Sequence, residues 1–200
     1  HEVGVPQARP AANGLYDPAA EHDACGVAFV ATMRGTPGRD IVDAGLTALL
    51  NLDHRGAVGA EINTGDGAGI LTQVPDAFLR DVIDDELPSA GHFAIGTVFL
   101  PQAEDEALAA QAQIAAIVTD EELDVLAWRD VPIVADLVGP SARATMPTFR
   151  QLVIAAPGRE LGGIDLERRA YRVRKRIERE LDIYLASFST RTLVYKGMLT

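Results

Sequence analysis

Short apolar runs bounded by turn residues, interleaved irregularly with stripes of helical period, restrict this chain to a mixed architecture. Strand-like runs occupy residues 26–33 (GVAFVATM), 70–74, 92–100 (HFAIGTVFL), 123–128 and 149–156, and a final strand pair is expected at 183–187 and 192–195. The first of these should be mostly buried, since almost every residue in it is apolar. Asp40 is placed to cap a helix with Ile41, Gly45, Ala48, Leu49 and Leu52 on one face. Asp76 is placed to cap a second, through Phe78, Leu79, Val82, Ile83 and Leu87. An alanine-rich helix follows over 104–119, and residues 166–181 set Leu166, Ala170, Val173, Ile177 and Leu181 along one side of a charged helix. Turn chemistry marks 34–39 (RGTPGR) and the Gly-Pro-Ser at 139–141. Roughly seven strands and four helices without strict alternation predict an α+β fold, with antiparallel sheets and helices packed outside them.

Composition narrows the function. The formal net charge is −11 over 200 residues, which disfavours nucleic acid and anionic membrane as partners, because binding to either is driven by positive charge. No apolar run approaches the ~18 residues of a membrane helix, and the opening residues lack the basic-then-apolar layout of a secretory signal, so the cytoplasm is the expected location. Residues 2–20, rich in Ala, Pro and Gly without periodicity, read as a leader preceding the ordered domain. The chain begins without methionine and ends just after a strand, as a piece of a longer protein would.

The single cysteine excludes an internal disulfide and a thiolate cage for a metal within these residues. A lone cysteine is most often a small buried hydrophobe. Cys25, however, stands between the leader and the first core run. Cleavage after Ala24 would give it a free α-amine with a pKa of roughly 7.7–8.0, basic enough to activate its own thiol directly or through water. One residue would then be nucleophile and base, and Gly26 would leave room for a substrate to approach.

Other motifs carry less. In Asp53-His54-Arg55-Gly56, Arg55 could organise the nucleophile or a substrate carboxylate through forked hydrogen bonds. A basic residue and a glycine ending a helix would serve equally as a solvated C-terminal cap. Thr64-Gly65-Asp66-Gly67-Ala68-Gly69 lacks the Lys-Ser/Thr of a P-loop and the spaced carboxylates of a calcium loop. It reads as a close-packed loop in which glycine lets backbone approach a neighbour or ligand and Asp66 can bond locally. The four histidines, His1, His22, His54 and His92, have no metal-ligand spacing. The basic residues from Arg168 to Arg179 alternate with Glu167, Glu178 and Glu180, as on a solvated helix face.

Taken in order, Leu15-Tyr16-Asp17-Pro18, Glu21-His22-Asp23-Ala24-Cys25-Gly26-Val27, Asp53-His54-Arg55-Gly56-Ala57 and the glycine block through Ile70 resemble the N-terminus of glutamate synthase large subunits. The stretch Thr190-Arg191-Thr192-Leu193-Val194-Tyr195-Lys196-Gly197-Met198-Leu199 resembles the same family. The blocks span nearly the whole chain, which makes their combination far more specific than any one of them.

The resemblance implies part of a class II glutamine amidotransferase domain with the four-layer αββα sandwich of N-terminal nucleophile hydrolases, residues 1–24 being a leader and 25–200 the domain's front part. It implies that Cys25 attacks the glutamine amide, forms a glutamyl thioester and releases ammonia for a synthase site. Arg55 would lie near the nucleophile, with support from Gly56, Asp66 and Gly67. The family's Ser-Arg-Phe-Ser-Thr-Asn carboxylate clamp and His-Asn-Gly-Glu oxyanion stretch are absent from this sequence, so the glutamine-binding residues are expected mainly downstream of Thr200. Ser187-Phe188-Ser189-Thr190 echoes the clamp only in part. No cofactor is implied in this segment. FMN and a [3Fe-4S] cluster would belong to the rest of the large subunit, FAD, [4Fe-4S] clusters and NAD(P)H to the small subunit, with 2-oxoglutarate as co-substrate and a higher oligomer as the assembly. A non-catalytic small-molecule-binding or subunit-contact module, and another N-terminal nucleophile amidohydrolase, are the competing readings.

Overall fold

A computed structural model describes residues 26–52 and 67–198. Its elements run α1 (Arg39–Asn51), β1 (Gly67–Gln73), α2 (Asp76–Val82), β2 (Ala94–Leu100), α3 (Glu104–Asp120), β3 (Asp124–Asp130), α4 (Pro140–Thr145), β4 (Thr148–Ala155), α5 (Gly163–Glu180), β5 (Tyr184–Leu185) and β6 (Thr192–Met198). A four-stranded sheet has the order β3-β4-β2-β5, and a two-stranded sheet joins β1 to β6. Every pairing is antiparallel, as the irregular strand and helix order predicts.

Strand period 2 sorts the four-stranded sheet into two apolar faces. Ala94, Val98, Leu100, Leu152 and Ile154 turn to one side, where α3 brings Ala107, Ile114 and Val118 and α5 brings Leu166, Ala170, Val173 and Ile177. Each fully buried Leu, Ile or Val here contributes about 1.5–3 kcal/mol relative to exposure. Ile95, Val153 and Ala155 turn to the other side, together with Phe93, and meet Leu79 of α2 and Leu193 of β6. The two-stranded sheet and α2 thus share one face of the larger sheet while α3 and α5 take the other.

Several boundaries depart from the sequence reading. Residues 26–33 form no strand, and Val27, Phe29 and Met33 are exposed: hydrophobicity alone does not make a strand where no described strand offers hydrogen-bond partners. Asp40 and Asp76 lie within the first turns of α1 and α2, after the N-cap residues Gly38 and Pro75, and neither helix has a side-chain cap bond. Asp76 instead accepts both prongs of Arg80, whose remaining donors reach the carbonyls of Leu87 and Pro88. α2 therefore stops at Val82, and the buried Ile83 and Leu87 belong to the connection that Arg80 secures. The Gly-Pro-Ser at 139–141 opens α4 with proline in its first turn, where the missing N–H costs nothing.

The strand pair expected at the end of the chain does not form. β5 is two residues long and pairs with β2, whereas β6 pairs with β1 across more than a hundred residues of sequence, Ile70 opposite Tyr195. The basic run on α5 is ion-paired both within the helix and to residues outside it: Arg176 meets Asp120, Glu121 and Glu180, Arg169 meets Glu122, and Arg174 and Lys175 share Glu178. Burial pushes the Glu178 carboxyl up, but Lys175 and Arg174 together outweigh it, and Arg176 holds Glu180 down in the same way.

Between β5 and β6 the chain is held by side-chain oxygens. The Ser189 amide and carbonyl exchange hydrogen bonds with Ile95 of β2. The Ser189 hydroxyl donates to one oxygen of Glu167 on α5, and the Thr190 N–H and hydroxyl both donate to the other, at 2.8, 2.7 and 2.6 Å. Ser189 Oγ in turn accepts from the N–H groups of Arg191 and Thr192, and Ser187 Oγ accepts from that of Val194. Burial pushes the Glu167 carboxyl up, but the bonds from Thr190 and Ser189 outweigh it and leave its pKa lowered.

Two measurements check this packing. A Cβ at Gly96 would collide with the carbonyl of Ser187 and the ring of Phe188, and a backbone atom cannot swing away as a side-chain tip can. Gly96→Ala should therefore lower the unfolding free energy by about 3 kcal/mol or more, read from the urea midpoint. The Glu167 stabilisation is full above the ordinary carboxyl pKa of 4.5 and is lost as pH falls through its lowered folded value. Glu167→Gln should flatten the dependence of thermal midpoint on pH below about 4.5, and an unchanged acid limb would deny the carboxylate this role.

Candidate active site

The three sequence blocks singled out for chemistry attach to one structural unit, the pair formed by α1 and β1. Helix α1 is followed by Leu52, whose N–H bonds back to the Leu49 and Leu50 carbonyls as the helix C-cap. Its inner face meets β1 at Gly45, where a Cβ would stand 3.3 Å from Ile70 Cδ1. The missing side chain lets the helix settle close to the strand.

Gly26 lies against Leu52. A Cβ on Gly26 would be 2.7 Å from Leu52 Cδ2 and 3.2 Å from Leu52 Cβ. Cys25 is the residue before Gly26, and Asp53-His54-Arg55-Gly56 begins at the residue after Leu52. The contact thus joins the two points from which the cysteine block and the arginine block depart. Cys25, Arg55, Gly56 and Asp66 themselves lie outside the described residues. So does Thr200, and the glutamine-binding residues expected downstream of it lie beyond this sequence.

Gly67 is described, and it is the first residue of β1, paired with Met198. The expectation of a loop through 65–69 is corrected for its last three residues, which are strand. The close approach expected of the glycines is found at Gly69, where a Cβ would be 3.0 Å from the Tyr195 carbonyl oxygen and 3.3 Å from Lys196 Cβ. At Gly67 the nearest atom among the described residues, the Gly197 carbonyl oxygen, would be 3.9 Å away, an ordinary contact. Gly69 therefore serves the packing of β1 on β6.

Among the described residues no group of three or more His, Cys, Asp or Glu could hold a metal ion. No helix among them is long and apolar enough to cross a membrane. His92 packs its ring on Gly162, where a Cβ would be 2.8 Å from it, which is a packing role.

The sequence reading passed over Glu167, taking it as one more acid on a charged helix. Its distinguishing mark is position: it follows Leu166, at the border of the buried stripe Leu166, Ala170, Val173 and Ile177, where a side chain can turn inward. Ser189 and Thr190, just before β6, supply the matching donors.

Comparison with known proteins fits this arrangement. Residues 25–200 match the family Glutamine amidotransferases class-II. The chain is 43% identical to the glutamate synthase (NADPH) large chain of Bacillus subtilis, over 96% of this chain and 13% of that protein. It is 41% identical to the glutamate synthase (NADPH) large chain of Azospirillum brasilense, over 92% and 13%. It is 39% identical to the ferredoxin-dependent glutamate synthase 2 of a Synechocystis strain, over 90% and 12%. The chain thus spans about an eighth of the length of these relatives, and it belongs to the class II glutamine amidotransferases.

Proposed function

We propose that this chain is the glutamine-hydrolysing front part of a glutamate synthase, with Cys25 as nucleophile after removal of residues 1–24. The observation that carries this reading is where the family match starts: at Cys25 itself, with the preceding residues outside it. A nucleophile at the first residue of a domain has its own α-amine within reach, and with a pKa of roughly 7.7–8.0 that amine can take the thiol proton near neutral pH.

The reaction then balances without outside reagents. The thiolate adds to the glutamine side-chain carbonyl, a C–S bond forms, and the C–N bond breaks as the α-ammonium returns its proton to the departing nitrogen. Ammonia leaves and a glutamyl thioester remains, which water hydrolyses to glutamate, restoring the thiol. Arg55, three residues beyond the Leu52 that touches Gly26, is the group for the glutamine carboxylate or for orienting Cys25, since a guanidinium presents paired donors. Gly56, Asp66 and Gly67 would support the site, and the larger share of the glutamine-binding residues would follow Thr200.

The fold would be a portion of the four-layer αββα sandwich, with α3 and α5, the four-stranded sheet and the β1–β6 pair as three successive layers. In the whole protein the ammonia would travel to a site that reduces its adduct with 2-oxoglutarate, with FMN, a [3Fe-4S] cluster and the FAD-bearing, NAD(P)H-oxidising small subunit with its [4Fe-4S] clusters as the other parts of a higher cytoplasmic oligomer. One cysteine in 200 residues cannot supply the thiolates of an iron–sulfur cluster, so the residues present here do not fit that group, and no step of the hydrolysis runs through it.

In the full-length protein, Cys25→Ser should abolish glutamine-dependent glutamate synthesis and spare ammonia-dependent synthesis. Parallel loss of both in folded protein would remove Cys25 from glutamine hydrolysis. A glutamine-mimicking diazoketone should add its mass to Cys25 in processed protein and leave unlabelled a form whose cleavage at Ala24 is blocked. Rapid labelling of that blocked form would make Cys25 an internal thiol with no use for its α-amine. Arg55→Ala should lower glutaminase kcat/KM about 10- to 100-fold, a loss of ~1.4–2.8 kcal/mol in transition-state binding. Unchanged kinetics would return Arg55 to a helix-end cation.

A further inference from the structure

We infer that Glu167 is a positioning residue for the glutamine site: through Ser189 and Thr190 it fixes the start of β6, and through the β6–β1 register it sets where Gly67 stands. The inference rests on the glutamine-hydrolysing reading for its functional half and on geometry alone for its structural half.

The path is continuous. Glu167 takes three hydrogen bonds from two consecutive residues. Ser189 and Thr190 are both buried, so removing the carboxylate takes away the acceptor on which three donors converge. The Ser189 oxygen that donates to Glu167 also accepts from the Arg191 and Thr192 amides, the two residues that lead into β6. From Thr192 the ladder runs without a bulge, Thr192 opposite Gln73 through Gly197 opposite Ala68 to Met198 opposite Gly67. In a two-stranded sheet the partner's position is set by that register, so the entry of β6 decides where β1 begins.

The chemistry asks for a carboxylate. Both lone pairs of Ser189 Oγ are taken by N–H groups, so its proton must go to an acceptor. Glutamine at 167 could still offer one oxygen to Thr190. Its NH2 would face a hydroxyl with no lone pair free, or a proton with nowhere to go. The amide is therefore a partial substitute and alanine is none.

The test uses full-length protein carrying Glu167→Ala, Glu167→Gln or, as a control one residue along the same helix, Arg168→Ala, which loses only an exposed pair with Asp165. Hydrogen exchange is followed at 67–73 and 192–198, and synthesis is assayed with glutamine and with ammonia. The expected result is exchange at least tenfold faster in both strands together for Glu167→Ala, intermediate for Glu167→Gln and unchanged for Arg168→Ala. With it should come a glutamine KM raised about tenfold while ammonia-dependent synthesis holds. Exchange changes confined to 163–191, or equal loss of both activities, would overturn the inference. If Glu167→Ala does not accumulate as folded protein, Thr190→Val removes one of the three bonds and is read in the same way. Should Cys25→Ser fail to separate the two activities, the hydrolysis reading falls, and the exchange pattern still decides whether Glu167 sets the β6–β1 register.

Discussion

Strand β2 is the member on which the other elements depend, because it is paired on both edges and buried on both faces. Its neighbours are β4 along one edge and β5 with Ser189 along the other. Ala94 and Val98 face the helices while Ile95 faces α2 and β6. Such a strand cannot shift by one residue without exchanging its two cores, so it fixes the positions of α3, α5 and β6 at once. Gly96, in its middle, lets the Ser187 backbone and the Phe188 ring come close enough for that second edge to form. Thr97 adds a bond from its hydroxyl to the Val194 carbonyl, which ties the two sheets across their interface.

The polar interior follows from this crowding. The segment 186–191 must pass from the edge of one sheet to the start of another in almost no space, and so it cannot rely on water for its backbone groups. Short hydroxyl side chains serve instead: Ser187 for Val194, Ser189 for Arg191 and Thr192. Glu167 closes the set from α5. A carboxylate is tolerable there because it is only partly desolvated and because several donors converge on it. The charged outer face of α5 is different in kind. Its pairs lie at the solvent boundary, with Glu121 as the buried member, and screening by water leaves each of the solvated ones weak.

What the sequence makes legible divides along the same line. Buried, strongly periodic elements such as β2, α3 and α5 are readable because packing and local pattern agree: the stripe Leu166, Ala170, Val173 and Ile177 is found fully buried. Residues 26–33 mislead because an apolar run carries no information about whether a partner strand is present. The partnership of β6 with β1 is equally invisible locally, since proximity in sequence favours a hairpin with β5, whereas β5 adds to β2 and β6 to β1. At the site, the block motifs and Cys25 are legible as sequence, and the meeting of Gly26 with Leu52 is what the structure adds. Glu167 escapes a local reading because its three donors come from residues more than twenty positions away.

That asymmetry bears on how the site is built. The residues proposed for chemistry are attached to α1 and β1, whose only strand partner among the described residues is β6, whereas the larger buried core lies between the four-stranded sheet and the helices α3 and α5. Leu193 and Tyr195 pack β6 on that sheet, but apolar contact is non-directional and would accept small slides along the strand axis. Hydrogen bonds are directional and would not. The link from Glu167 through Ser189 to the amides of Arg191 and Thr192, together with the bonds of Thr97 and Ser187 to Val194, therefore supplies what burial cannot: an axial stop for β6 and, through the ladder, for the first residue of β1.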